Sequence, residues 1–127
     1  MSAEAVVRHF CAAWERRDLE AILYALSLDV EYQNVPASAM IGREAARSFI
    51  APIVEQATAI EFTVNALAVS GDGCTVLTER VDKIHFGDRS VVIPLMGIFT
   101  VRAGLISLWR DYADSASVQA QFAALKG

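Results

Sequence analysis

The chain lacks the charge of a nucleic-acid binder. Its 127 residues carry 11 Lys and Arg against 15 Asp and Glu, a net charge of −4, whereas a phosphate-binding surface needs clustered cations. Apolar runs are short as well. None approaches the roughly 20 residues that span a bilayer, so no membrane partner is expected. The N-terminal stretch MSAEAVVRHF has neither a basic n-region nor an uninterrupted apolar core, and does not read as a signal peptide. The two cysteines, Cys11 and Cys74, are too few and too far apart for a disulfide framework. They are expected to be buried free thiols, with a cytoplasmic location following by default. His9 and His85 are the only histidines, and neither has Cys or carboxylate neighbours at ligand spacing, so no metal site is expected. Gly-rich phosphate loops, nucleophile elbows and Cys-His pairings are absent from the sequence.

What is present describes a compact, ordered domain. Hydrophobic residues make up 54% and charged residues 20%, with only 7 Gly and 3 Pro, a balance that excludes disorder. The length suits one domain over residues 1–127. Ser2 is a good N-cap, and Val6, Phe10, Ala13 and Trp14 recur at helical spacing, which predicts an amphipathic helix over 3–16. Asp18 can cap a short helix over 19–26. Val30 to Asn34 then alternates as a strand, followed by a loop, VPASAMIG, and a helical stretch over 43–55 that Pro52 should bend or end.

From Ala59 onward the hydrophobic period falls to two. Strands are predicted over 59–68, 74–86, 90–102 and 105–112, joined by turns at Ser70-Gly-Asp-Gly73, Gly87-Asp-Arg89 and Ala103-Gly104. Asp114 can cap a last helix carrying Val118, Phe122 and Leu125. Helices first and a strand meander after make an α+β domain, with helices covering the concave face of a curling sheet.

Two strand segments carry the chemistry. In ERVDK, Arg80 and Asp82 are two apart; in LWRDY, Trp109 and Asp111 are. Residues two apart on a strand share a face, and charges on an apolar face need partners. A hairpin turning at Asp88-Arg89 sets Arg80 opposite Gly97 and Asp82 opposite Leu95. A three-residue loop over 103–105 sets Gly97 opposite Asp111. Arg80, Gly97 and Asp111 then form one row, with about 10 Å between the outer backbones. A guanidinium can span that gap, and a glycine leaves it room. Two carboxyls on one Arg should differ in protonation, one raised and the other kept ionised. That supplies an acid and a base together. Tyr32 and Asn34 share a strand face and can orient a water molecule. An acid, a base and a placed water suit a one-step addition of water. Taken singly, Arg-x-Asp is more often a structural ion pair and Trp109 more often core. The conjunction is what points to a site.

These motifs, in the order Tyr-x-Asn, Arg-x-Asp and Trp-Arg-Asp, together with the runs EYQNVPASAMIGREAA and ERVDKIHFGDRSVVIPLMGIFTVRAGLISLWRDYAD, resemble the limonene-1,2-epoxide hydrolases. The resemblance implies the cone-shaped fold shared with nuclear transport factor 2, ketosteroid isomerases and SnoaL-like cyclases, with a strongly curved mixed sheet. It further implies that Asp111 is the general base, that Tyr32 and Asn34 hold the water with it, that Asp82 is the general acid, and that Arg80 bridges the aspartates. Trp109 would shape the pocket, and Ile84, Leu95 and Met40 are candidates for its apolar wall. No metal, organic cofactor or covalent intermediate is implied, and homodimers are the usual assembly. The chain starts close to its first helix, without the longer N-terminal arm of some members. The loop over 35–41 and the helix over 43–55 match poorly, which bears on substrate choice. The expected activity is hydrolysis of small apolar epoxides to vicinal diols. The rivals are an isomerase or cyclase using one Asp base, and a non-catalytic pocket for an apolar ligand. Whether the last helix closes the pocket or packs at an interface stays open.

Overall fold

The computed structural model describes residues 1–126. Helix α1 (Ala3–Glu15) starts at Ser2, whose hydroxyl accepts from the Ala5 amide, and α2 (Leu19–Tyr24) starts at Asp18, whose carboxylate accepts from the Ala21 amide. Strand β1 (Leu26–Val35) follows, then a two-residue strand β2 (Met40–Ile41) and helix α3 (Arg43–Gln56). Four long strands come next: β3 (Ala59–Val69), β4 (Thr75–Phe86), β5 (Arg89–Arg102) and β6 (Leu105–Ala113). Helix α4 (Ser115–Lys126) closes the described chain, and Asp114 caps it by accepting from the Ser117 amide. None of these helices is long and apolar enough to cross a membrane.

The six strands form one sheet in the order β2-β1-β6-β5-β4-β3. The last four make the expected antiparallel meander, and β1 joins β6 in parallel, so the sheet is mixed. The concave face is covered by α1, which buries Val6, Val7, Phe10, Cys11, Ala13 and Trp14 against β3 to β6. At the centre, the ring of Phe10 meets Trp14, Phe99 and Trp109 edge-on at 6.5, 6.0 and 4.9 Å.

Several sequence expectations need correction. Strand β1 begins at Leu26, inside the stretch expected to be α2, and β2 lies in what read as a loop. Pro52 does not end helix α3, which runs on to Gln56; Ala46, Ile50 and Val54, buried along one face, hold it across the missing amide. Cys11 is buried, and burial pushes its thiol up to about 12. Cys74 is exposed, because it belongs to the β3–β4 turn, where its amide donates to Asp72.

The register of the first hairpin also differs. Its two turn residues are Gly87 and Asp88, with Phe86 paired to Arg89, because Gly87 supplies the positive φ (70°) that a two-residue hairpin needs at its first turn position. Arg80 therefore pairs with Leu95, Asp82 with Ile93, and Thr78 with Gly97. The slip is two residues. Strand side chains alternate with period two, so every expected face survives the slip.

Phe10 fills the space where α1 meets the sheet, so Phe10→Ala should lower unfolding stability by about 3–5 kcal/mol, read from urea unfolding curves. A loss below about 1 kcal/mol would mean that α1 is not what closes this core.

Candidate active site

A single alternating stripe on β4 generates the site. Val76, Thr78, Arg80, Asp82 and Ile84 all point inward and are all buried. An arginine and an aspartate cannot be placed there without partners. Arg80 finds them on two strands. Its Nε donates to Asp82 Oδ1 at 3.1 Å and its Nη2 to Asp82 Oδ2 at 3.0 Å, a bidentate pair. The same Nη2 donates to Asp111 Oδ2 at 3.1 Å. Nη1 donates to Thr78 Oγ1 at 3.0 Å. The guanidinium also lies near the Phe62 and Phe99 rings, 5.3 and 5.6 Å from their centroids. Its side chain is fully buried, and those of Asp82 and Asp111 are 6% and 8% exposed.

Sheet pairing brings in the rest. The parallel β1–β6 ladder sets Tyr32 beside Trp109 and Asn34 beside Asp111. The Tyr32 and Trp109 rings stack at 4.1 Å, and Trp109 Nε1 donates to Asp111 Oδ1 at 2.8 Å. Trp109 thus orients a carboxylate as well as shaping the wall. Asn34, Asp111, Gly97 and Thr78 form one row across four strands. The expected row had Arg80 in place of Thr78; the turn falls one residue earlier, which sets Arg80 opposite Leu95, two residues along β5, and its guanidinium reaches Asp111 diagonally past Gly97. A Cβ on Gly97 would fall 2.6 Å from Asp111 Oδ1 and into contact with Arg80 Nη1. Gly97 keeps that space open.

Both carboxyls are raised above their ordinary range, where one was expected to be raised and the other kept ionised by the shared Arg80. Burial is the larger cause for each, and Arg80 offsets only part of it. Asp111 is pushed up to about 6, with the charge of Asp82 adding to the rise. Arg80 is pulled down by burial but raised overall by Asp111 and Asp82, so it stays charged. Two carboxylates on one guanidinium leave a buried net charge of −1. Retaining one proton makes the network neutral, which a low-dielectric site favours. Burial also raises the Tyr32 phenol and keeps it neutral.

The carboxyls open onto a cavity of about 650 Å³. Arg80 is not at its surface; Asp82 and Asp111 are, together with Tyr32, Asn34 and Trp109. Ile84 and Leu95 line the wall as expected, joined by Trp14, Phe49, Phe62 and Ile93. Met40 does not: it sits on edge strand β2, beyond β1, and packs against the core from there. Helix α4 contributes Ser115, Val118, Gln119 and Phe122 to the lining, so it forms part of the pocket wall. His85 lies outside this lining, contacting Glu61 and Ser90 at 2.6 Å each; strand pairing supplies a carboxylate neighbour that sequence spacing did not show. Among the described residues no group of three His, Cys, Asp or Glu side chains could hold a metal ion. Sequence reading missed Thr78, although its place in the β4 alternation was visible. It also missed Trp14, whose helix read only as core, and did not single out Phe49 within the helix expected to bear on substrate choice.

The sheet order, the helix layer and the cavity define a fold class, that of nuclear transport factor 2-like proteins. A putative polyketide cyclase from Xanthomonas campestris shares this fold, with a TM-score of 0.81 at 23% identity over 94% of this chain and 95% of that one. A limonene-1,2-epoxide hydrolase-like epoxide hydrolase from Mycobacterium tuberculosis superposes with a TM-score of 0.80 at 28% identity, over 97% of this chain and 93% of that one. In sequence, epoxide hydrolase EphG of Mycobacterium tuberculosis is 32% identical over 108 residues, 85% of this chain and 70% of that protein. The family model described as the limonene-1,2-epoxide hydrolase catalytic domain matches residues 1–124, and the chain belongs to that family.

Two outcomes follow from the geometry. Gly97→Ala should destabilise by about 1–3 kcal/mol, since the new methyl displaces Arg80 or Asp111; unchanged denaturant unfolding would mean that the network has slack. An Asp whose folded pKa is raised takes up its proton earlier in the folded than in the unfolded state, so it costs stability when ionised and ceases to as pH falls. The melting temperature of Asp111→Asn relative to the wild type should therefore be highest near pH 7 and decline toward pH 5. A constant difference would place the Asp111 carboxyl in ordinary solvent.

Proposed function

We propose that the protein is a cofactor-independent epoxide hydrolase that adds water to apolar epoxides in one step, giving vicinal diols. The observation that carries this reading is the sharing of Arg80 Nη2 between Asp82 and Asp111 at the wall of an apolar cavity. An isomerase or cyclase needs one base and an oxyanion donor. A pair of carboxyls tied to one guanidinium suits simultaneous proton donation and removal instead.

In this reading Asp111 is the general base, and Tyr32, Asn34 and Asp111 hold the attacking water. Asp111 takes a proton from that water as its oxygen bonds to an epoxide carbon. The carbon–oxygen bond of the ring breaks, and Asp82 gives its proton to the departing oxygen. The pair ends with the same number of protons it began with. A water donating to Asp111 and an epoxide oxygen accepting from Asp82 both favour the starting arrangement, with the retained proton on Asp82. Ile84, Leu95, Ile93 and Phe62 hold the carbon skeleton. EphG, the relative described as an epoxide hydrolase, supports the reaction class.

A panel of apolar epoxides incubated with excess enzyme in ¹⁸O-labelled water tests this. Labelled diol in the first turnover is expected, and Asp82→Asn and Asp111→Asn should each lower turnover by about 10²–10⁴-fold. Diol from none of the epoxides would sink the reaction, and label first entering the protein would replace it with a covalent mechanism.

A further inference from the structure

Arg80 does not centre itself on the two aspartates unaided. Asp82 takes two of its five N–H groups and Asp111 a third, all from the Nε and Nη2 edge. The opposite corner, Nη1, is fully buried and has one protein acceptor, Thr78 Oγ1 at 3.0 Å. The Thr78 hydroxyl in turn donates to the Gly97 carbonyl at 3.2 Å. Having spent its only hydrogen there, Oγ1 must present a lone pair to Arg80. Thr78 itself is 1% exposed, so no solvent can replace it.

We propose that Thr78 is a positioning residue: it anchors the Nη1 corner of Arg80, so that Nη2 is held between Asp82 and Asp111 instead of turning toward either one. The row Asp111–Gly97–Thr78 fits this role. Gly97 lends its carbonyl to fix the hydroxyl and its missing side chain to let the guanidinium pass. Remove the hydroxyl, and Nη1 becomes a buried donor without that acceptor. The guanidinium then relieves it by rotating, and rotation breaks the shared Nη2 contact before it breaks the bidentate pair with Asp82. Thr78 touches no cavity surface, so any effect on substrate binding is indirect.

The inference rests on the hydrolase reading for its catalytic consequence but not for its structural one, and paired variants separate the two. Thr78→Val keeps the shape and removes the acceptor; Thr78→Ser keeps the acceptor and removes the methyl group. On an epoxide that the wild type hydrolyses, Thr78→Val should lose about tenfold or more in kcat, with KM changed by less than about twofold and the acid limb of the pH–rate profile displaced. Thr78→Ser should recover most of the rate and the wild-type profile. A Val variant with wild-type kcat and profile, or a Ser variant as impaired as Val, overturns the proposal. Carbon-13 NMR titration of the Asp82 and Asp111 carboxyls needs no turnover. A displaced titration in Thr78→Val with a normal one in Thr78→Ser is expected even if no epoxide were ever hydrolysed, and coincident titrations in all three proteins contradict the anchoring itself.

Discussion

One nitrogen, Nη2 of Arg80, ties the two halves of the site together. Asp82 is its neighbour on β4, while Asp111 lies two strands away on β6. The surrounding sheet is arranged so that this reach is feasible. Gly97 leaves the path clear on the strand between, Trp109 holds the far carboxylate from its other side, and Phe62 and Phe99 flank the guanidinium. The parallel entry of β1 beside β6 then lays Tyr32 and Asn34 alongside Trp109 and Asp111.

Folding stability does not explain such a cluster. Three ionisable side chains withdrawn from water cost more in desolvation than well-packed apolar residues of the same volume would, and such replacements are often neutral or stabilising. The compensation lies nearby, in the aromatic core that Phe10, Trp14, Phe99 and Trp109 build between α1 and the sheet. A stripe that breaks the rule for buried faces at two consecutive inward positions, Arg80 and Asp82, is the kind of local conflict that marks a functional site. The raised carboxyls are the electrostatic expression of the same conflict: burial outweighs the one guanidinium they share.

The long strands, the capped helices and the shared face of Arg80 with Asp82 were legible in the sequence because each follows from local periodicity or a cap. The pairing of Gly97 with Asp111 was expected from a three-residue loop over 103–105; the turn has only two residues, Ala103 and Gly104, and a bulge between Thr100 and Val101 restores the same pairing. The row to which Arg80 belongs was not legible. It depends on which two residues turn the β4–β5 hairpin, and both Gly87-Asp88 and Asp88-Arg89 suit a turn; the positive φ at Gly87 goes with the first. Pairing of β1 with β6 joins segments more than seventy residues apart and leaves no local trace. Met40 illustrates the same limit, for its apolar character was visible but not its place on an edge strand. That both carboxyls would be raised was not legible, because desolvation acts on both and burial of the second one is a property of the folded sheet.

The central claim is that the buried Asp82–Arg80–Asp111 network keeps one proton and is neutral overall. Neutron diffraction from a deuterium-exchanged crystal grown near pH 6 observes that proton directly. Deuterium density on one carboxyl of the pair, beside a fully deuterated Arg80, is the expected result. Both carboxyls bare, or both deuterated, would contradict it.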